Sequence, residues 1–344
     1  MRKMLPIMLT LCLLVACCPA AGSAASLSPT TGLSSDEPYR PVLVQISNTK
    51  EARPQIGLSS ADIVYEAVFW GPAHTRYLAL FNDVHPETVG AIRSSRVFFH
   101  ELREMWDCPF VFWGRQYIVE SRNRANPPEE LLVPEAFLFD GTKTQLPDIL
   151  GRITDREPPH NAIVQLKSLV ENHWPTDADG QPYEPRLPEM QFGEDFSKGG
   201  ETALSMDITY EAKDYAARYV FDEASGHYVR WYNGTPQTDA GGAQITANNV
   251  LVQYVWTSYH NNSYSLPIVK TTGSGPLDVF IGGTHIRGTW VRDEMDDFAR
   301  YLDGNGNAIT FMPGKTFVQM VPMEMPISYT DAEGSTHTLG ADVK

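Results

Sequence analysis

The chain has 344 residues, 42% hydrophobic and 20% charged, so it is long enough for two domains and too apolar to be globally disordered. Its formal net charge is −15, and a surface this acidic disfavours nucleic acid and anionic lipid as general partners. Any site for an anion must therefore be a local concentration of positive charge.

The first residues have the pattern of an export signal. Arg2 and Lys3 precede an apolar stretch over residues 4–16, which is shorter than the ~20 residues of a membrane-spanning helix. Two cleavage interpretations are open. "LVAC", ending at Cys17, matches a bacterial lipobox, whereas "GSA" before Ala25 suits an ordinary signal peptidase. We favour the lipobox, because Cys17 follows the apolar core directly and has a small residue before it.

The lipobox interpretation predicts where the protein is located. Residues 1–16 are then a lipoprotein signal peptide, and palmitate-type acyl chains on Cys17 hold the protein in the lipid bilayer of the cell membrane, on its extracytoplasmic face. Residues 17–38 are rich in Ser, Ala, Pro, Gly and Thr and are predicted to be a flexible tether. Cys108 alone among the four cysteines lies beyond this tether, so no disulfide framework or zinc cluster is predicted.

The next part of the chain has strand patterns followed by a helix pattern. Apolar, β-branched and aromatic runs predict strands over residues 40–48, 61–70 and 74–84. Apolar residues then recur at helical spacing, which predicts a helix from Ser94 to about Trp106, and "CPFVFWG" (108–114) returns to a strand pattern. Strand, helix and strand in succession predict a mixed α/β N-terminal domain over residues 39–180.

The remainder of the chain is a series of short strand-like runs separated by Gly, Asn, Asp and Pro. It predicts a β-rich, mainly antiparallel C-terminal domain over residues 200–344, so the fold class predicted for the whole chain is α+β. "DGNGNAITFMPG" (303–314) lacks the glycine and the glutamate of a calcium loop and predicts a hairpin turn. No metal site and no cofactor are predicted.

Two arginines stand out in "GAIRSSR" (90–96). Arg93 and Arg96 are three residues apart and would share one face of the first turn of the predicted helix. Cations are unfavourable at a helix N-terminus, because the helix dipole is positive there. The pair therefore predicts a nearby anion, held by guanidinium groups and free backbone N–H groups. The anion is either a carboxylate of this chain, with Asp62 and Glu66 as candidates, or an external ligand; both interpretations are open.

A second feature is "REPPHN" (156–161), a rigid loop that places His160 and Asn161 after two prolines. His160 suits a general acid or base, with Asp62 or Glu66 as its partner, and it equally suits a role in capping backbone groups. The candidate catalytic residues are therefore His160, Asp62 and Glu66. The candidate ligand-binding residues are Arg53, Arg76, Arg93, Ser94, Arg96 and Asn161.

At these residues the chain resembles the YerB-like bacterial lipoproteins, which contain a two-part domain of unknown function. The matching segments lie between Arg40 and Val321, and in order they are "RPVLVQISN", "ARPQIGLSSADIVYEA", "TRYLALF", "GAIRSSR", "PPHN", "ANNV", "GTWVR" and "FMPGKTFVQ". Two segments depart from the family pattern, "FWGPAHTR" and "VFWGRQ", which lack a usual acid and a usual histidine. The resemblance implies a lipid-anchored, extracytoplasmic protein and implies no reaction.

These observations favour a binding or accessory module of the cell envelope. Its partner would be an anionic envelope ligand or an envelope protein, with the arginines as the binding groups. The alternative is a hydrolase or transferase acting on an anionic envelope substrate, with His160 as acid or base. Because the sequence has no evident nucleophile or metal-ligand set, whether the protein is an enzyme stays open.

Overall fold

The protein is built mainly of β-strands. The computed structural model describes residues 26–115, 137–143, 146–210, 215–260 and 265–341. Strands account for 45% of it and helices for 9%. In these ranges there are two α-helices, α1 (Val97–Trp106) and α2 (Leu166–Asn172). The predicted α+β class, with a mixed α/β domain at the N-terminus, is therefore wrong.

The error has a physical cause. The strand, helix and strand predicted around α1 do occur, but the two strands, His74–Phe81 and Phe110–Phe112, are not neighbours. Both pair with Val42–Ser47, the first antiparallel and the second parallel. Two further parallel pairs in the same sheet join strands from distant parts of the chain, since Thr316–Pro322 lies between Asn249–Val255 and Ile63–Trp70. A single predicted helix is therefore insufficient to assign the fold class of the N-terminal half.

The N-terminal half contains ten strands, two α-helices and two short 3₁₀ segments, Lys50–Ala52 and Leu58–Ser60, within the described ranges. The strands are β1 (Ser26–Leu27), β2 (Ser34–Ser35), β3 (Val42–Ser47), β4 (Ile63–Trp70), β5 (His74–Phe81), β6 (Thr88–Gly90), β7 (Phe110–Phe112), β8 (Leu138–Asp140), β9 (Leu150–Arg152) and β10 (Ala162–Gln165).

The C-terminal half is a series of strands, most of them short. They are β11 (Gln191–Phe192), β12 (Glu201–Thr202), β13 (Ser205–Ile208), β14 (Ala217–Asp222), β15 (His227–Tyr232), β16 (Thr235–Pro236), β17 (Thr246–Ala247), β18 (Asn249–Val255), β19 (Thr257–Tyr259), β20 (Pro267–Val269), β21 (Gly273–Ile281), β22 (Thr284–Arg292), β23 (Arg300–Asp303), β24 (Thr310–Phe311), β25 (Thr316–Pro322), β26 (Ile327–Thr330) and β27 (Thr336–Leu339).

An eleven-stranded central sheet is shared by both halves of the chain. Its order is β12-β22-β21-β18-β25-β4-β5-β3-β7-β8, with β23 paired to β22. The halves join where β4 and β25 run parallel, with Val64 opposite Phe317 and Glu66 opposite Gln319. The N-terminal strands thus continue directly into the C-terminal strands through backbone hydrogen bonds.

The two faces of the central sheet are covered by different elements. Alternate residues of a strand point to opposite faces, so Val64 and Tyr77 lie in one core and Tyr65 and Leu78 lie in the other. The first core is completed by a seven-stranded sheet, β16-β15-β14-β13-β26-β27 with β17, and by the small sheet β6-β10-β9 with α2. The second core is completed by α1, which buries Phe98, Phe99, Leu102, Met105 and Trp106.

Part of the predicted tether is described by the structure. Ser28, Thr30 and Thr31 are buried, and their hydroxyl groups donate hydrogen bonds to Asp62 or Asp83. The predicted signal peptide and Cys17 lie outside the described residues. Within the described ranges, none of the helices has the length and apolar character needed to cross a membrane.

Candidate functional site

Three of the predicted arginines converge at one end of the central sheet, on the face that carries α1. Arg76 lies on β5 opposite Ala67, whose side chain belongs to the core beneath α1, so Arg76 points to that face. Arg93 lies between β6 and α1, and Arg96 is the N-cap residue of α1. Arg76, Arg93 and Arg96 are called the arginine cluster below.

The predicted placement of Arg93 and Arg96 on a helical turn is wrong. The helix begins at Val97, and Arg96 has an extended backbone with φ of −126°. Neighbouring strands and loops bind the preceding segment: the Arg93 N–H donates to the Gln45 carbonyl and the Ser95 N–H to the Gly114 carbonyl. These tertiary hydrogen bonds keep the segment extended, because its N–H groups are no longer available for a helical turn.

Backbone carbonyls hold the guanidinium groups in place. Arg76 Nη1 donates to the Ser94 carbonyl, while Arg96 donates through Nη1 to the Ser95 carbonyl at 2.9 Å and through Nε to the Phe69 carbonyl at 3.2 Å. Both groups lie over the Phe69 ring, at 3.8 Å for Arg76 and 5.5 Å for Arg96. Carbonyl dipoles and an aromatic face orient these cations but leave their positive charge unneutralised.

The arginine cluster lacks an acidic counterpart in the described ranges. Among the residues that the structure describes, none of its arginines forms an ion pair with Asp or Glu, although Arg76 is only 2% exposed. The Nε atoms of Arg76 and Arg93 are buried and lack a hydrogen-bond partner in the same part of the chain. An uncompensated buried charge is strongly unfavourable, so an anion near the cluster would lower its electrostatic energy.

Burial and the neighbouring positive charges lower the pKa values of all three arginines. Burial, followed by the charges of Arg96 and Arg93, lowers the pKa of Arg76 well below its usual value. Burial and then Arg93 lower the pKa of Arg96 to about 10. The pKa of Arg93 is lowered by burial and then by the charge of Arg152. Clusters of groups perturbed in this way are typical of functional sites.

Both carboxylates considered as internal partners lie elsewhere. Glu66 Oε2 pairs with Arg230 Nη2 at 2.8 Å, and both side chains are fully buried. Glu66 also accepts hydrogen bonds from Asn48 Nδ2 at 3.0 Å and from Gln319 Nε2 at 2.8 Å. It links β4 and β25 of the central sheet to β15 of the second sheet, so its observed contacts are structural.

Asp62 is held by the N-terminal segment. Its Oδ2 accepts a hydrogen bond from Thr30 Oγ1 at 2.7 Å and from the Asp83 N–H at 3.1 Å. Burial and then the charge of Asp83 raise the pKa of Asp62 to about 7. The observed partners of Asp62 and Glu66 thus include neither Arg93 nor Arg96 nor His160.

The raised pKa of Asp62 makes stability depend on pH. Because the folded protein binds this proton more tightly than the unfolded chain, the stabilisation is complete below about pH 4 and is lost as pH rises through about 7. Asp62→Asn should therefore be more stable than wild type at pH 8 by on the order of 2 kcal/mol, with a much smaller difference at pH 4.5. Urea unfolding at both pH values measures this, and the exposed Asp179→Asn is the control. An Asp62→Asn effect equal at the two pH values would contradict the expectation.

A second group of predicted residues surrounds His160. Its Nδ1 lies 3.1 Å from Thr49 Oγ1, and burial followed by the charge of Arg93 lowers its pKa. Asn161 accepts a hydrogen bond from Arg152 Nη1 at 2.7 Å and donates one to the Ile153 carbonyl at 2.9 Å. Both polar atoms of the Asn161 side chain are thus hydrogen-bonded within the protein. Through its Oδ1 atom, Asn161 orients the Arg152 guanidinium.

The remaining predicted residues have separate contacts. Ser94 Oγ donates to the Trp113 carbonyl at 3.0 Å, and the Ser94 carbonyl accepts from Arg76. The guanidinium of Arg53 lies 3.3 Å from the centre of the Tyr232 ring and donates to Asn48. Arg53 therefore lies beside Tyr232 of the second sheet.

Two residues of the site carry no signal in the sequence. The Arg152 guanidinium lies 4.3 Å from the Trp113 ring centre and acts on the charge of Arg93. Tyr215 lies next to His74, with ring centres 5.0 Å apart, and interacts electrostatically with Arg53 and Arg76. Neither Arg152 nor Tyr215 belongs to a motif, and no spacing in the sequence indicates that they meet the cluster.

The structure offers few reactive groups for catalysis in its described part. Burial raises the pKa of the Cys108 thiol to about 12, and the side chain is fully buried, where it packs as a small hydrophobic residue. Within the described ranges, no three His, Cys, Asp or Glu side chains form a group that could hold a metal ion. What these residues assemble is a set of fixed cations, which can bind an anion and orient it.

The comparisons with known proteins agree with the matching segments. The chain matches the model of the DUF3048 N-terminal domain, a protein of unknown function, over residues 30–178, and that of the DUF3048 C-terminal domain over residues 206–318. A relative from Bacillus subtilis (strain 168), named "Putative lipoprotein YerB", is 26% identical over 322 residues, which cover 89% of each chain.

A solved structure has the same fold. The crystal structure of the YerB protein from Bacillus subtilis superposes with a TM-score of 0.70 at 24% identity, covering 91% of this chain and 99% of that chain. The resemblance seen in the sequence segments is confirmed by the two domain matches in their expected order. This chain belongs to the DUF3048 family, to which both of its halves match.

Proposed function

We propose that this protein is a lipid-anchored lipoprotein of the extracytoplasmic membrane face whose arginine cluster binds an anionic group of an envelope ligand. The observation that carries the proposal is the set of three partly or fully buried guanidinium groups, Arg76, Arg93 and Arg96, without an acidic partner in the described part of the chain. Elsewhere the fold does pair a buried arginine, since Arg230 has Glu66 at 2.8 Å.

The geometry favours binding over a structural role. Carbonyls of Phe69, Ser94 and Ser95 fix the guanidinium groups of Arg76 and Arg96 before any ligand arrives, so these two side chains have little entropy left to lose on binding. An incoming anion would relieve the repulsion among the three cations and would supply acceptors for their remaining N–H groups. Guanidinium groups match the oxygens of carboxylate and phosphate groups particularly well.

Anion binding can be tested by thermal unfolding of the purified mature chain in inorganic phosphate at constant ionic strength. Phosphate should raise the Tm of wild type in a concentration-dependent way, because a ligand that binds only the folded state stabilises it. Arg96→Gln should lose most of this shift. Arg300→Gln, in which an exposed arginine paired with Asp293 is replaced, should keep it. Equal shifts in all three proteins would count against the cluster as the binding site.

The proposed anchor rests on the lipobox and on the name of the Bacillus relative. Acyl chains on Cys17 would hold the protein in the membrane, since two or more chains give stable attachment. Cys17→Ser should therefore move the protein from the membrane fraction to the released fraction, as measured by immunoblot after cell fractionation. Cys18→Ser is the matched control and should stay with the membrane. Unchanged partitioning of Cys17→Ser would refute acylation at this position.

A further inference from the structure

A fourth arginine extends the cluster into a row. Arg152, at the end of β9, lies over the ring of Trp113, whose backbone N–H donates to the Arg93 carbonyl at 3.0 Å, and its charge lowers the pKa of Arg93. Arg93 in turn acts on Arg96 and Arg76, which share the Phe69 ring. Like the other three, Arg152 has no ion pair with an acidic side chain among the described residues. We call Arg76, Arg96, Arg93 and Arg152 the arginine row.

Arg152 is held in a fixed position although it is exposed. Its guanidinium lies 4.3 Å from the centre of the Trp113 ring and donates to Asn161 Oδ1 at 2.7 Å. Asn161 is itself 5% exposed and is tied to the Ile153 carbonyl. The Trp113 ring packs closely on Gly141, where a Cβ atom would come within 2.3 Å of it. Exposed arginine side chains are usually mobile, because ordering them costs conformational entropy. The contacts with Trp113 and Asn161 instead hold the Arg152 guanidinium in one position.

The charges of the row exceed what one small anion can balance. Four guanidinium groups carry four positive charges, and the buried Nε atoms of Arg76 and Arg93 belong to different side chains that both lack an acceptor in the described part of the chain. A single carboxylate offers one negative charge and two oxygens, which leaves most of the row uncompensated. A phosphoryl group carries up to two charges and three acceptor oxygens in a compact volume.

We propose that the ligand of this site carries two linked phosphoryl groups, one held by Arg76 and Arg96 and the next by Arg93 and Arg152. The inference rests on the proposed function and specifies its ligand class. It follows that Arg152 contributes mainly to recognition of the second phosphoryl group. Removing Arg152 should therefore affect a diphosphate more than a monophosphate.

The test compares inorganic pyrophosphate with inorganic phosphate by isothermal titration calorimetry at constant ionic strength. Wild type should bind pyrophosphate at least about tenfold more tightly than phosphate, with a steeper loss of affinity as NaCl increases. Arg152→Gln should weaken pyrophosphate binding about tenfold and phosphate binding by less than about threefold. Arg300→Gln should match wild type for both ligands, and circular dichroism checks that each variant is folded.

The outcomes separate the diphosphate ligand from the anion site itself. If phosphate and pyrophosphate bind equally and both depend on Arg96, the anion site stands and the diphosphate inference fails. The diphosphate inference also fails if Arg152→Gln weakens both ligands equally. If neither ligand binds wild type, or if binding is unaffected in Arg96→Gln, the proposed function fails as well. Arg152 is exposed, so a folded Arg152→Gln protein is expected and the test does not depend on a buried substitution.

Discussion

Arg230→Met should lower the free energy of unfolding by about 3–5 kcal/mol, because it leaves Glu66 as an uncompensated buried charge. The two side chains are fully buried and 2.8 Å apart. Arg230 also donates to Tyr219 Oη at 3.1 Å and to Gln237 Oε1, so its removal takes these hydrogen bonds as well as the one to Glu66 of the central sheet. The loss should be the largest of any single arginine substitution in the second sheet.

Urea unfolding of wild type and Arg230→Met measures this effect. The double variant Glu66→Gln/Arg230→Met removes both charges together and should recover a substantial part of the lost stability, since no unpaired ion is left. Arg218→Gln, in the same sheet but exposed and paired with Asp207, should change stability by less than about 1 kcal/mol. A loss below about 1 kcal/mol for Arg230→Met would show that water or relaxation compensates Glu66.

Arg76→Met should have the opposite effect on the ligand-free protein. Arg76 is almost as deeply buried as Arg230, but its charge meets Arg93 and Arg96 where Arg230 meets a carboxylate. Replacing it by an apolar side chain of similar length removes a desolvation cost and a repulsion, and it forfeits one hydrogen bond to Ser94 and the contact with the Phe69 ring. We expect the variant to equal wild type in stability or to exceed it by about 1 kcal/mol.

The same substitution should abolish most of the stabilisation by phosphate. The measurement is urea unfolding of wild type and Arg76→Met, each with and without phosphate at matched ionic strength. A functional anion site predicts two results together. Without phosphate, Arg76→Met is at least as stable as wild type, and phosphate no longer stabilises it. Such a trade of stability for binding is typical of functional sites. Strong destabilisation of ligand-free Arg76→Met would instead make Arg76 a structural residue and would remove the main support for the proposed function.

Local pattern accounts for most individual elements. The strands predicted at 40–48, 61–70 and 74–84 correspond to β3, β4 and β5, and the predicted helix ends at Trp106, as in the structure. These segments are long, and the period of their apolar residues is set by burial on one or both faces. The predicted helix start lies three residues too early, because tertiary hydrogen bonds to Gln45 and Gly114 hold the preceding chain extended.

The candidate site is only partly predictable from the sequence. An arginine pair in an acidic chain indicates Arg93 and Arg96, and a strand start indicates Arg76. Their surroundings are not predictable: Asp62 binds Thr30, Glu66 binds Arg230, and Arg152 joins the cluster from β9. Each of these contacts joins residues more than thirty positions apart, so none leaves a periodic signal in the sequence.

By itself the sequence determined the export pattern, the local strands, the helix α1 and the excess of positive charge in "GAIRSSR", since these depend on neighbouring residues alone. Only the tertiary structure decided the fold class, through the parallel pairing of β4 with β25 that joins the two halves in one sheet. The tertiary structure also decided that the arginine cluster is not paired with Glu66. Glu66 is turned toward the second sheet by strand alternation, on the face opposite to Arg76, and so the cluster is left with no carboxylate in the described part of the chain.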